Sequence, residues 1–148
     1  RPHHFLGINR QGHASIVSTT GNPDGHLVLR GGGGQTNFHA EAIASFAAEL
    51  KAAALPDRVM VDCSHGNSNK DYRRQSEVLT AVADQVRQGS KSVLGVMLES
   101  NLVEGNQKLP ADLSQLAYGQ SITDACIDLT TTEQLLEQLA AAVPVPVA

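Results

Sequence analysis

Apolar positions in this chain first alternate, then run continuous, then recur at helical spacing. Phe5-Leu6-Gly7-Ile8 and Ala14-Ser15-Ile16-Val17-Ser18 are two short strand-like runs around the turn residues Asn9-Arg10-Gln11-Gly12. They predict a hairpin over residues 5–18. Gly21-Asn22-Pro23-Asp24-Gly25 is a second strong turn. Three apolar runs follow, His26–Arg30, Val59–His65 and Val93–Glu99. They alternate with segments of helical period. Asn37–Lys51 would place Ile43, Phe46, Ala47 and Leu50 on one face. Ser76–Gln88 would turn Val78, Leu79, Val82 and Val86 inward and stop at Gly89. A last helix is expected from Thr130, with a Thr130–Glu133 capping box and Leu135, Leu136 and Leu139 inward. Ser100–Ser121 reads as a long polar loop and residues 144–148 as a frayed tail.

The three strands end at Arg30, His65 and Glu99, in steps of 35 and 34 residues. Each step holds one helix and one strand, the size of a βα unit in a parallel sheet. Strands this apolar predict a sheet covered on both faces. The fold class is therefore α/β, and in such folds chemistry sits at the C-terminal strand ends.

The residues standing there are a cation, an imidazole and a carboxylate. Each has an ordinary reading: a polar strand end for His65 and Glu99, a plain glycine-rich loop after Arg30. Together they are harder to dismiss. Neighbouring parallel strands would bring them to one pocket mouth, where a histidine and a carboxylate begin a divalent metal site. Arg30 offers a planar fork for phosphate or carboxylate, and Gly31–Gly34 could bring backbone N–H groups to an anion. Asp124, after the long loop, is either a turn cap or a further metal carboxylate, and periodicity leaves both open. Cys63, two residues before His65, is expected on the same side of its strand as a small buried filler. The run Lys70-Asp71-Tyr72-Arg73-Arg74 reads as a solvated helix start. The other histidines share no metal spacing.

Composition narrows the partners. A length of 148 residues suits one domain. A net charge of -4 argues against nucleic acid or an anionic membrane. No apolar run reaches the roughly 18 residues of a membrane span. Two cysteines without a CxxC pair suggest reduced thiols and a cytoplasmic protein. The polar start at Arg1, without Met, suggests no signal peptide and a processed or cut chain.

Four stretches resemble the class I 3-deoxy-D-arabino-heptulosonate 7-phosphate (DAHP) synthases: His26–Gly32, Asp62-Cys63-Ser64-His65-Gly66-Asn67-Ser68-Asn69-Lys70, Gly95–Gln107 and Tyr118–Cys126. The resemblance runs in order from Pro2 to Val143, loosest at the extra glycine of 31–34 and at 108–116. It implies a (βα)8 barrel with an antiparallel hairpin before the sixth strand. This chain would supply the hairpin (1–20) and βα units six to eight (26–143) of one partial barrel domain. It implies a transferase that condenses phosphoenolpyruvate with erythrose 4-phosphate, the first step of the shikimate pathway to aromatic amino acids. His65, Glu99 and Asp124 would be metal ligands for a divalent ion such as manganese, and His65 and Arg30 would meet phosphoenolpyruvate. Phe5, Gly7 and Val17 match the family's feedback pocket for an aromatic amino acid, and glycine rather than serine at position 7 favours tyrosine. The family's fourth ligand, a cysteine, matches neither Cys63 nor Cys126. That ligand, the catalytic lysines and the other arginines belong to the N-terminal half. The chain alone is therefore expected to be inactive and to oligomerise through open sheet edges. The alternatives are a non-catalytic half barrel that binds anions or an amino acid, and the related octulosonate 8-phosphate synthase.

Overall fold

The computed structural model describes residues 1–144; the expected tail, apart from Pro144, lies outside them. The hairpin forms as expected and one or two residues longer at each end. Strands β1 (His3–Ile8) and β2 (Ala14–Thr19) pair antiparallel with Phe5 opposite Val17 and Gly7 opposite Ser15. The turn is made locally: the Asn9 side-chain oxygen accepts the N–H groups of Gln11 and His13, both at 3.0 Å. Gly12 takes the left-handed conformation that closes it. The hairpin buries little. Leu6 is 74% exposed and Ile8 76%. Phe5 is itself 46% exposed, so it does not serve to pack the hairpin onto a sheet.

Strands β3 (Leu27–Leu29), β4 (Val59–Asp62) and β5 (Val93–Met97) form a parallel sheet in the order β3-β4-β5. Helices α1 (Ala40–Ala52), α2 (Gln75–Arg87) and α3 (Leu129–Ala142) pack on it. Leu29, Val59, Val61 and Cys63 join Ile43, Val78, Leu79, Val82, Ile127 and Leu135 in one buried cluster. Phe46, Leu50 and Leu139 lie against it. Side chains alternate along a strand, so this cluster uses one face of the sheet. The expectation of cover on both faces is not met. Met60, between two fully buried valines, is only half-buried, and Met97 is 38% exposed.

The helix ends show where local signals held and where distant contacts prevailed. Gly89 ends α2 as expected: its N–H reaches the Val86 carbonyl and that of Ser90 the Gln85 carbonyl, a Schellman closure. Helix α1 begins at Ala40, not Asn37. Asn37 is held elsewhere, accepting the Gly31 N–H and donating its own to the Asn67 side chain. Helix α3 is capped by Asp128, whose carboxylate accepts the Thr131 N–H at 2.7 Å, in place of the expected Thr130–Glu133 box. Leu136, expected inward, is 51% exposed.

The expected loop 100–121 is ordered. Strands β6 (Val103–Asn106) and β7 (Gln120–Ser121) pair in parallel, and Gly105 bridges Cys126. The Gln107 side chain closes the intervening loop by bonding both backbone groups of Ala117 and the carbonyl of Gln120. Strands of two and four residues are too short to carry a period, which is why the pattern read them as loop.

Candidate metal centre

The site is built where β3, β4 and β5 end. Strand β4 stops at Asp62, earlier than expected, because the chain turns there. The Asp62 Oδ1 atom accepts the Ser64 N–H at 2.8 Å and the Ser64 hydroxyl at 2.6 Å. His65 then takes a left-handed conformation, φ 50°, so it stands in the turn and not on the strand. That departure separates it from Cys63. Cys63 points into the core, where burial and the nearby Asp62 charge push its thiol up to about 12. It is inert filler, as expected, but it does not share a side with the histidine.

Asn67 ties the strand ends together. Buried at 1% exposure, it donates to the carbonyls of Leu29 (3.0 Å) and Asp62 (2.9 Å). The backbones after β3 and β4 come so close that a Cβ on Gly66 would lie 2.7 Å from the Gly31 carbonyl carbon. The reverse substitution would meet Gly66 at the same distance, and Gly31 also has φ +70°. Both positions therefore demand glycine. Glu99 is set by a two-point clamp. The fully buried Gln75 accepts the Glu99 N–H at 2.8 Å and donates to its carbonyl at 3.0 Å. Asp124 arrives on the segment between β7 and α3, which the Gly105–Cys126 bridge holds in place.

These anchors bring Arg30, His65, Glu99 and Asp124 to one pocket of about 170 Å³, also lined by Lys70 and Tyr72. His65 Nε2 lies 3.6 Å from Glu99 Oε1 and 3.4 Å from Asp124 Oδ2. One ligand atom from each of the three lies within 4.8 Å of the others. Two carboxylates converging on one imidazole repel each other unless a cation sits between them. The nitrogen and oxygen donors fit a divalent ion of borderline or hard character. His65 is mostly buried and Asp124 is 68% exposed in its side chain, so the pocket opens on the Asp124 side.

Sequence reasoning named these four residues but missed their supports. Asp62 interrupts an apolar run, which could have flagged it; Asn67 and Gln75 stand among polar residues, and nothing in the local pattern sets them apart. Lys70 was submerged in a basic run whose later members do behave as expected, Arg73 pairing with Asp71 and Arg74 with Glu77 at the surface. The structure also brings Phe5, Gly7 and Val17 together on one face of the hairpin. A Cβ on Gly7 would lie 2.8 Å from Val17 Cγ2 and 3.6 Å from Phe5 Cε2. This face is apart from the metal-type pocket.

Comparison with known proteins places this arrangement. A chain in Schizosaccharomyces pombe, a putative phospho-2-dehydro-3-deoxyheptonate aldolase, is 50% identical over 143 residues, covering 96% of this chain and 39% of that one. Two Escherichia coli K12 phospho-2-dehydro-3-deoxyheptonate aldolases are nearly as similar. The Tyr-sensitive one is 47% identical over 94% of this chain and 39% of its own length, and the Phe-sensitive one 49% over 96% and 40%. Overall identity thus does not separate the two effector types. The solved structure of the Francisella tularensis aldolase superposes on all of this chain and 42% of that one, with a TM-score of 0.86 at 45% identity. The chain spans about two fifths of the length of the relatives it matches. The model of the DAHP synthetase I family matches residues 1–137, and the chain belongs to that family.

Proposed function

We propose that this chain carries the metal-binding side of a DAHP synthase active site, within the C-terminal part of a (βα)8 barrel. Residues 1–20 are then the regulatory-type hairpin, and residues 26–143 the βα units of strands six to eight. The observation that carries the reading is the convergence of His65, Glu99 and Asp124 beside Arg30 at adjacent parallel strand ends. The uncovered face of the sheet, with Met60 and Met97, then lines the barrel interior.

In this reading His65, Glu99 and Asp124 hold a divalent ion, manganese being suited to one nitrogen and two oxygen ligands. When bound, that ion supplies a Lewis acid that polarises the aldehyde of erythrose 4-phosphate. Arg30 grips phosphoenolpyruvate through its planar fork, and Lys70 adds a second positive charge on the same pocket wall. The Gln75 clamp and the Asn67 tie keep the ligands from drifting apart as charge develops. The condensation joins phosphoenolpyruvate to the aldehyde carbon, water adds and phosphate leaves. The remaining ligand and most of the substrate cradle belong to barrel strands outside these residues, so the isolated chain does not turn over.

Manganese titration of the chain tests the metal reading, with Glu99→Gln and His65→Ala as controls. We expect weak, saturable binding that both substitutions abolish; binding unaffected by either sinks it. Product formation from both substrates by the pure chain would overturn the inactive reading. On the hairpin, Phe5, Gly7 and Val17 form part of a pocket for an aromatic amino acid, tyrosine favoured. The test is to titrate tyrosine and phenylalanine against the full-length enzyme, where tighter phenylalanine binding rejects tyrosine. The open edges of the sheet at β3 and β5 favour self-association, which sedimentation would detect.

A further inference from the structure

One buried acid behind His65 is not itself a ligand in this reading. Asp62 is 1% exposed, and its two carboxylate oxygens have separate partners. Oδ1 takes the Ser64 N–H and the Ser64 hydroxyl, which makes the turn. Oδ2 lies 2.8 Å from Nδ1 of His65. The Ser64 hydroxyl is also 2.7 Å from that nitrogen, but its single proton is directed to Oδ1 at 2.6 Å, so its oxygen is left to accept. Both neighbours of Nδ1 are therefore acceptors, and the proton between ring and carboxylate sits on the ring. Nε2 then faces the side where Glu99 and Asp124 converge.

We infer that Asp62 is a positioning residue, which holds the His65 ring through its Nδ1–H and aims Nε2 between Glu99 and Asp124. The inference rests on the metal reading for its purpose, though not for its geometry. A carboxylate behind a ligating imidazole fixes ring orientation and raises ligand basicity. The left-handed backbone at His65 makes this more than a convenience. A residue in that conformation is held by its surroundings, and the Asp62 carboxylate is the group that bonds both the turn and the ring.

The discriminating variant is Asp62→Asn. The Ser64 N–H requires an acceptor, so the asparagine oxygen stays at the Oδ1 position and its NH2 faces Nδ1. The turn survives while the ring is forced to accept at Nδ1 and carry its proton on Nε2, pointing at the ligand cluster. Two-bond 1H–15N spectra of the metal-free 148-residue chain, with His65 assigned through His65→Gln, read the tautomer directly. We expect a proton on Nδ1 in the wild type and none on Nδ1 in Asp62→Asn. Manganese titration followed by electron paramagnetic resonance should show affinity lower by about 10–100-fold in the variant. A wild-type Nδ1 without a proton, the same Nδ1 state in both proteins, or equal manganese affinity would overturn the inference. Should Asp62→Asn not fold, the wild-type spectrum still decides. Ser64→Ala then serves as a second variant: it keeps the Oδ2 contact and should stay Nδ1–H, and a switch there would move the role to Ser64 and overturn ours. A wild-type chain that binds no manganese would count against the metal reading alone, because the tautomer is measured without metal.

Discussion

The hairpin of residues 3–19 and the turn of residues 62–70 are both tight reversals closed by an Asn or Asp side chain, yet they are stabilised in different ways. In the hairpin, Asn9 bonds Gln11 and His13, and every ladder bond joins β1 to β2. Its apolar side chains stay largely in solvent. In the second turn, Asp62 and Asn67 are both 1% exposed, and Asn67 bonds the ends of two strands at once. The first is a local object that asks little of the rest of the chain. The second joins groups of β3 and β4 that meet only in the folded sheet. A set of ligands belongs on the second kind, since misplacement of about 1 Å is costly to a site.

Substitutions can break that contrast. Leu79→Ala removes a fully buried side chain from beneath the strand ends and should destabilise the fold by about 2–5 kcal/mol in urea unfolding. Leu6→Ala, at 74% exposure on the hairpin, should change it by less than about 0.5 kcal/mol. Similar costs for the two would mean that the hairpin is not separate in energy. Gly66→Ala puts a methyl group 2.7 Å from Gly31 and should cost about 1–3 kcal/mol, and should weaken manganese binding as the strand ends part. Gly12→Ala, in the hairpin turn where nothing lies within 4 Å, strains only its own backbone and should leave manganese binding unchanged.

The smallest expected effect sharpens the comparison through pH. Hydrogen bonds from Thr131 hold the Asp128 carboxyl below its ordinary value of 3.8. A lowered folded-state value means its contribution is present above about 3.8 and is lost as pH falls through the folded value. Asp128→Ala should therefore lower the melting temperature slightly at neutral pH, and the difference should close in acid. A gap that persisted below the folded value would show that the cap acts through something other than its charge.

Much of the molecule was legible in the residues themselves. The turn Asn9–Gly12, the stop at Gly89 and the helix faces of Ile43 and Leu79 follow from contacts a few residues apart. So did the βα rhythm that set Arg30, His65 and Glu99 side by side. Errors gathered where another partner, distant or local, outbid the expected one. Asn37 left its helix for Gly31 and Asn67, Asp128 displaced the Thr130 cap, and 103–121 became strands too short to show a period.

The candidate site divides along the same line. The chain by itself showed which residues follow the strands, because apolar runs spaced by one helix and one strand are the pattern of parallel βα units. Only the tertiary structure decided that His65 leaves its strand, that Asp62 stands behind it, that Gln75 clamps Glu99 and that Asp124 closes the set. The last two relations join groups across 24 residues, as between Gln75 and Glu99, or across the gap from β4 to the segment before α3. No local periodicity encodes such distances, since they are fixed by how the sheet and helices pack.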